Sequence, residues 1–376
     1  MLAFMMLACC GDAICYQVPE QLDDGITTGS LTAAGFKYQP IEALLQKARI
    51  SEYSQDTGQG QNRGYQELHS LLVYKDGLLV LEEYYFGNND RIQFENNITR
   101  DRTPKPVQWS RDKKHYIASV NKALTATVTG IALDQLDLTT SSRISSLLPN
   151  QYEHFFRDGN KAEVTIADLL TMQSGFVWDE WQKDDLAQLW HSTDFSEFVL
   201  GRPNLGPGSE WQYNSAGPNL LLRALQHQLE QPLREWAGQQ FYDKLGITDY
   251  DWQSQPGGYP EGSARMHMRP RDMLKVGITY LNQGKWQGQQ VIPVEWVNEI
   301  FKVQAGSEAG DYSYLFWLRE LNGISYLSAD GDGGQYINIF PGQNMVIVMT
   351  QGNYLEWPLY VKQADDIMAN YIFKAL

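Results

Sequence analysis

The sequence has very little cysteine, and all of it lies at one end of the chain. Cys9, Cys10 and Cys15 are the only cysteines among 376 residues. Residues 16–376 can therefore form neither a disulfide framework nor a thiolate metal site. The histidines lack metal-ligand spacing, and no glycine-rich nucleotide loop lies between a strand and a helix. The sequence thus predicts no metal and no cofactor.

Positive charge is also scarce. The chain carries 30 Lys and Arg against 45 Asp and Glu, a net charge of −15. Its densest basic run is RDKK at 111–114. Nucleic-acid binding needs clustered Lys and Arg, so this composition argues against a nucleic-acid partner. A small-molecule substrate is the expected partner.

Long hydrophobic runs are missing as well. The opening MLAFMMLACC is apolar but far too short to span a bilayer. It resembles the end of a bacterial lipoprotein signal, in which Cys9 or Cys10 would be lipidated, and residues 11–36 would form a polar tether. The first positive charge is Lys37, so the basic region of a signal is lacking, and a disordered tail is the alternative. An anchored protein would be exported and periplasmic or membrane-attached; otherwise we expect it in the cytoplasm.

Strand patterns lie at both ends of the chain, and helical patterns fill the middle. Residues 69–87 read as a hairpin around Lys75-Asp76-Gly77, because Asp-Gly favours a tight reversal. Strand-like runs return between residues 312 and 352, whereas 185–201 reads as one helix. We therefore predict an α+β fold, with an antiparallel sheet formed by both chain ends, flanked by helices, and a mostly helical region inserted. The predicted domain covers 37–376, with an α/β lobe of about 37–118 and 255–376 and a helical lobe of about 119–254.

The stretch WSRDKKHYIASVNK contains Ser-x-x-Lys twice. Ser110 and Lys113 lie in a charged segment without apolar periodicity, which indicates an exposed loop. Ser119 instead opens an apolar helix, so Lys122 lies one turn away on the same face. A helix N-terminus offers free N–H groups to an alkoxide, and burial lowers a lysine pKa toward that of a useful base. Ser119 could also be merely a helix cap.

A tyrosine that relays a proton would complete such a site. Tyr-x-Asn/Ser occurs at Tyr213, Tyr280, Tyr326 and Tyr336. Tyr280 falls inside a predicted helix, and Tyr326 and Tyr336 fall in predicted strands, where packing is the expected role. Tyr213 lies in a Gly- and Pro-rich loop, from which side chains reach into clefts. The glycines of 329–340 would let a ligand approach the backbone.

The order of these three features resembles that of the serine β-lactamase and penicillin-binding protein superfamily. The chain looks most like the branch related to class C β-lactamases, which includes esterases and aminohexanoate-dimer amidases. The resemblance runs from about residue 40 to the C-terminus, and it rests on HYIASVNK (115–122), VTIADLLTMQSGF (164–176), PGSEWQYNSAG (207–217), GKWQGQQVIPVEW (284–296) and GDGGQYINIFP (331–341). It implies Ser119 as nucleophile, neutral Lys122 as base and Tyr213 as proton relay. The backbone N–H groups of Ser119 and Gln335 would hold the oxyanion.

The third motif departs from the family pattern. Lactamases and transpeptidases carry Lys-Thr-Gly there, whereas the matching positions here look like Asp332, Gly333 and Gly334. An acid in place of the lysine would repel a substrate carboxylate. Ser215 and Trp178 complete the predicted substrate-binding set. We therefore expect a serine hydrolase of esters or neutral amides; a β-lactamase or D-alanyl-D-alanine carboxypeptidase, and a non-catalytic binding or sensor protein, are the alternatives.

Overall fold

The computed structural model describes residues 16–56, 64–93, 99–101, 106–157, 159–180 and 184–376. The candidate lipid-anchor residues Cys9 and Cys10 lie outside these ranges. Within them, no helix combines the length and apolar character that a membrane crossing requires.

A single antiparallel sheet organises the fold, and both chain ends contribute to it, as predicted. Its strands are β1 (Leu68–Lys75), β2 (Leu78–Tyr84), β3 (Ala305–Ser307), β4 (Gly310–Tyr312), β5 (Trp317–Leu321), β6 (Ile324–Gly331), β7 (Gln335–Phe340) and β8 (Met345–Gln351). They are arranged in the order β3-β4-β5-β6-β7-β8-β1-β2. The N-terminal hairpin is thus joined to the C-terminal strands by the pairing of β1 with β8.

The hairpin turn forms where the sequence predicts it. Lys75 pairs with Leu78, so the loop consists of the two residues between them. Asp76 has φ 52° and Gly77 has φ 88°. Positive φ at both central residues matches the right-handed twist of the paired strands, and Asp-Gly tolerates it better than most pairs.

Helices cover both faces of the sheet and fill the middle of the chain. In the described ranges, the α-helices of five residues or more are α1 (Tyr38–Asp56), α2 (Val120–Leu136), α3 (Ile166–Leu170), α4 (Asp185–His191), α5 (Phe195–Leu200), α6 (Ala216–Gln228), α7 (Leu233–Ala237), α8 (Pro270–Leu281), α9 (Val294–Ile300) and α10 (Leu359–Ile367). The single helix predicted for 185–201 is therefore wrong. Asp194 interrupts it, since its side chain accepts a hydrogen bond from Glu197 N–H and caps α5.

Adjacent residues of β1 point to opposite faces of the sheet, so each face has its own apolar cluster. Leu72 belongs to the cluster that contains α2 and α8. Leu71 belongs to the cluster that contains α1 and α10. The sheet is buried on both sides, and β1 is accordingly buried from Leu68 to Tyr74.

Helix α2 lies inside the protein, and its polar residues bind one neighbouring segment. All residues from Val120 to Leu133 are buried. The Asn121 side chain donates to the carbonyl oxygens of Glu261 (2.8 Å) and Ala264 (2.7 Å). Thr125 donates to the carbonyl of Gly262 at 2.7 Å. These bonds fix residues 261–265 against the first turns of α2.

Close packing between α8 and the sheet gives a test of the fold. A Cβ on Gly277 would lie 2.6 Å from Val346 Cγ1 and 3.0 Å from Ile337 Cγ2. We expect Gly277→Val to lower the free energy of unfolding by about 1–3 kcal/mol, because the branched side chain overpacks this contact. Urea unfolding would measure it. Gly342→Ala, where a Cβ meets open space, is the control, and an equal loss in both variants would contradict the packing argument.

Candidate active site

Ser119 and Lys122 form a direct contact at the start of α2. Lys122 Nζ donates to Ser119 Oγ at 3.0 Å and to the carbonyl oxygen of Ser263 at 3.2 Å. Lys122 is 1% exposed, whereas Ser119 is partly exposed. Ala118 has φ 46°, a left-handed conformation immediately before the serine. The serine hydroxyl is thus open to a ligand, while its lysine partner is shielded from water.

The backbone of Ser119 meets a second requirement of acyl transfer. Ser119 is the N-cap residue of α2, yet its side chain makes no capping hydrogen bond. Its backbone N–H donates to no acceptor in the described ranges. A free N–H at a helix N-terminus suits a developing oxyanion.

Tyr213 adjoins the same lysine. Lys122 Nζ lies 4.7 Å from the centroid of the Tyr213 ring. That ring stacks on Trp317 with centroids 6.4 Å apart and planes 14° apart. Trp211 lies 6.4 Å from it on another side. The two tryptophans hold Tyr213 beside Lys122, as the sequence predicts for the loop before α6.

The rival motifs are not assembled into a comparable site. Lys113 donates to the carbonyl of Gln108 at 2.6 Å rather than to Ser110. Tyr280 is 0% exposed and shares a hydrogen bond with Thr127 in the core. The other two candidate tyrosines, Tyr326 and Tyr336, are buried in the sheet at 7% and 6% exposure.

The charge state of Lys122 differs from the prediction. Burial opposes its ammonium form, but Tyr213, Glu180 and Glu261 favour that form, and together they raise the pKa of Lys122. The sequence predicted a lowered pKa from burial alone, because it gave no sign that two carboxylates would lie nearby. A raised pKa keeps Lys122 protonated at neutral pH.

Glu180 is a site residue that sequence reasoning missed. Its carboxylate accepts hydrogen bonds from the Ser215 hydroxyl at 2.6 Å and the Ser215 N–H at 2.8 Å. Trp178 Nε1 donates to it at 3.0 Å. Ser215 therefore reaches the site, where it also holds the Glu180 carboxylate. Trp178 is 1% exposed, so its predicted role in lining a substrate groove is corrected: it supports Glu180 from within the core.

A cavity of about 40 Å³ opens beside the nucleophile, and we call it the Ser119 cavity. It is lined by Ile92, Tyr116, Ala118, Ser119, Glu180, Leu186, Trp190, Ser215, Ala264, Asp332 and Leu355. Asp332 thus reaches the site, as predicted, and its carboxylate accepts the N–H of Leu355 at 3.0 Å. Trp190 is the tryptophan that lines it.

The rest of the third motif is placed differently from the prediction. Gln335 is 0% exposed, so its N–H is not open to a ligand, and the predicted oxyanion role is corrected. Gly333 and Gly334 are buried in the turn between β6 and β7, with φ 81° and 95°. Gly331, one residue before Asp332, is the residue of this motif that packs closely against the segment leading to the nucleophile. A Cβ on Gly331 would lie 2.4 Å from the carbonyl oxygen of Ile117.

Comparison with known families agrees with this geometry. Residues 55–361 match the family model described as Beta-lactamase. The chain belongs to the β-lactamase family. A search of curated protein sequences gives no significant match. In the part of this β-lactamase-family chain that the structure describes, no group of three or more His, Cys, Asp or Glu side chains could hold a metal.

Solved structures share the fold at low identity. A protein assigned as a 6-aminohexanoate-dimer hydrolase from Bacillus anthracis is 17% identical with TM-score 0.67, covering 96% of this chain and 92% of that one. A family VIII carboxylesterase is 16% identical with TM-score 0.62, covering 89% and 98%. An octameric penicillin-binding protein homologue from Pyrococcus abyssi is 15% identical with TM-score 0.62, covering 89% and 79%. At these identities the likeness establishes the β-lactamase/transpeptidase-like fold.

A buried chain of hydrogen bonds supports the two-residue strand His115–Tyr116, which precedes the nucleophile. His115 Nδ1 lies 2.9 Å from the carbonyl oxygen of Tyr116, which can only accept. His115 Nε2 then accepts from His69 Nδ1 at 2.8 Å. His69 Nε2 lies 3.1 Å from Glu67. With Nδ1 donating and Nε2 accepting, the His115 ring is neutral.

The neutral state of His115 predicts how stability depends on pH. Burial and the neighbouring His69 and His267 lower the pKa of His115 well below 6.5. Below pH 6.5 the unfolded chain binds a proton that the folded protein does not, so stability falls as the pH falls. This contribution amounts to at most about 1.4 kcal/mol per pH unit. Urea unfolding between pH 7.5 and 5.5 would measure it.

The variant His115→Gln isolates this contribution. We expect a lower free energy of unfolding at every pH, because the buried hydrogen bonds are weakened. We also expect the free energy of unfolding to decrease less steeply than in wild type as the pH falls. His154→Gln is the matched control, since His154 is exposed, and it should keep the wild-type slope. Equal slopes in wild type and His115→Gln would contradict the assignment.

Proposed function

We propose that the protein is a serine hydrolase that forms a covalent acyl-enzyme on esters or neutral amides. One observation carries the proposal: a partly exposed Ser119 hydroxyl accepts a 3.0 Å hydrogen bond from the fully buried Lys122. A structural lysine gains nothing from being buried beneath an open serine, because desolvating an ammonium group is costly. Activating a nucleophile gives this arrangement a purpose.

In the acylation step, Ser119 Oγ attacks the carbonyl carbon while its proton leaves. Because Lys122 keeps its own proton, another group must accept that of Ser119, and Tyr213 is the hydroxyl beside it. We assign Tyr213 as the group that accepts this proton, with the Lys122 ammonium favouring negative charge on the tyrosine oxygen during the transfer. Tyr213 then passes the proton to the departing alcohol or amine as the carbonyl–heteroatom bond breaks.

Deacylation repeats these roles with water. Water attacks the acyl carbon, Tyr213 takes a proton from the water, and Ser119 Oγ recovers a proton when the acid is released. The backbone N–H of Ser119 donates to the oxyanion in both steps.

The acidic side chains around Ser119 support the substrate class. Glu180 and Asp332 both line the Ser119 cavity. A β-lactam, or a peptide ending in D-alanine, carries a carboxylate close to the carbonyl under attack. Such a group would meet these acids where water is sparse, and the repulsion would weaken binding. Esters and uncharged amides avoid this repulsion.

A non-catalytic binding protein is the alternative from another class, since fold alone does not establish catalysis. The contacts of buried Lys122 with both Ser119 and the Tyr213 ring argue against it, because ligand binding needs no such set.

The nucleophile can be tested by covalent labelling. A fluorophosphonate should add one adduct per chain, and peptide mapping should place it on Ser119. Ser119→Ala should abolish the adduct and reduce p-nitrophenyl butyrate hydrolysis at least about a thousandfold. Lys122→Met should reduce hydrolysis about a hundredfold or more. Ser110→Ala is the matched control and should behave as wild type; an adduct on Ser110, or none, refutes the assignment.

The substrate class can be tested by kinetics with matched classes of probe. We expect p-nitrophenyl butyrate to have a higher kcat/KM than nitrocefin or a D-Ala-D-Ala peptide. Asp332→Asn should reduce the ratio of kcat/KM for p-nitrophenyl butyrate to kcat/KM for nitrocefin, because it removes one charge that repels the nitrocefin carboxylate. Should nitrocefin have the highest kcat/KM with the wild type, Asp332 does not exclude it and a lactamase is the better description.

A further inference from the structure

A second cavity adjoins the site and is much larger than the Ser119 cavity. It measures about 470 Å³, and we call it the outer cavity. Tyr116 and Ile92 line both cavities, so the outer cavity lies next to the Ser119 cavity. The Ser119 cavity has room for little more than the group that reacts. The remainder of a substrate therefore has its space in the outer cavity.

Arg265 stands where the two cavities meet. It lines the outer cavity, and its guanidinium lies 5.2 Å from the ring of Trp190, which lines the Ser119 cavity. Its Nε donates to the Gln253 side chain at 2.9 Å. In the described ranges its remaining guanidinium N–H groups have no hydrogen-bond acceptor and no ion-pair partner. An unpaired guanidinium in a chain of net charge −15 is an available anion-binding group.

The other charged residues of the outer cavity differ from Arg265. Lys114 is paired with Asp249 at 2.7 Å and Asp251 at 3.0 Å. Asp90, which also lines the cavity, is 6% exposed. The cavity is therefore not uniformly positive. This mixture favours one anion held in a defined geometry over a diffuse attraction for polyanions.

The backbone at Arg265 adds an independent indication. Arg265 has φ 56°, a left-handed conformation that non-glycine residues seldom adopt. Its neighbours hold it there: Asn121 binds the carbonyl of Ala264, and Gln253 N–H donates to the carbonyl of Arg265 at 3.1 Å. Strained residues of this kind cluster at ligand sites.

We propose that the outer cavity binds a carboxylate of the substrate through Arg265, several bonds away from the bond that is cleaved. The planar guanidinium matches a carboxylate with two parallel hydrogen bonds. The proposal rests on the proposed serine hydrolysis and narrows its substrates to esters or amides with a remote carboxylate. It is compatible with exclusion of β-lactams, whose carboxylate lies next to the reacting carbonyl and hence near Asp332 and Glu180.

Paired substrates that differ only in this charge provide the test. One pair is mono-p-nitrophenyl glutarate and its methyl ester; the other is 4-acetoxyphenylacetate and its methyl ester, which places the charge on the leaving group. In at least one pair, the wild type should have a kcat/KM about tenfold or more higher for the substrate with the free carboxylate than for its methyl ester. A factor of this size corresponds to the free energy of one charge-assisted hydrogen bond. Arg265→Gln should bring that ratio close to one, and Arg265→Lys should retain part of it.

The ratio does not depend on how much of a variant is folded, because both substrates of a pair meet the same enzyme. Lys114→Gln is the matched control: it removes a cation of the outer cavity that is already paired, and it should keep the wild-type ratio. No preference in either pair, or an unchanged ratio in Arg265→Gln, would overturn the proposal.

A binding measurement separates this proposal from the proposed hydrolysis. Monomethyl glutarate, which keeps one carboxylate, should raise the Tm of wild type more than dimethyl glutarate does, and Arg265→Gln should lose this difference. That result supports the carboxylate site even if no ester is cleaved and Ser119 takes no label. Stabilisation by inorganic phosphate but not by monomethyl glutarate would refute the choice of a carboxylate, and no effect of either would refute the site.

Discussion

The buried positive charge of Lys122 is the constraint on which the site depends. An ammonium group removed from water destabilises a protein by several kcal/mol unless it finds partners. Its partners come from segments far apart in the sequence: Ser119 on α2, Ser263 in the segment bound to α2, and the carboxylates of Glu180 and Glu261. Satisfying this one charge therefore requires the helical region and the segment before α8 to meet at the same point.

The features that the sequence predicts well are those that local patterns determine. The β1–β2 turn follows from Asp-Gly, and Ser119 is distinguished from Ser110 by the apolar helix behind it. Tyr213 follows from the loop in which it lies. The sheet formed by both chain ends follows from strand patterns at the two ends. Each of these inferences uses residues close together in the chain, so the sequence itself contains the information.

The features that the sequence does not predict depend on contacts across the fold. Glu180 accepts a hydrogen bond from Ser215, 35 residues away, and no sequence spacing predicts that these two residues meet. The pKa of Lys122 was predicted in the wrong direction because its direction depends on carboxylates that folding brings near. The sequence predicts Trp178 as a groove residue, but packing buries Trp178 and places Trp190 in the wall of the Ser119 cavity instead. Arg265 is a single arginine in no recognisable motif.

The contact between Gly331 and Ile117 has a consequence for how chains of this kind can be recognised. A side chain at residue 331 would collide with the main chain two residues before the nucleophile, and main chain yields less readily than a flexible side chain. Asp332 stands where the family pattern has lysine, so the charge at this position of the third motif can vary, whereas a side chain at residue 331 has no room at the joint between sheet and helix. A search pattern for distant relatives should therefore anchor on the glycine and leave the charge free to vary.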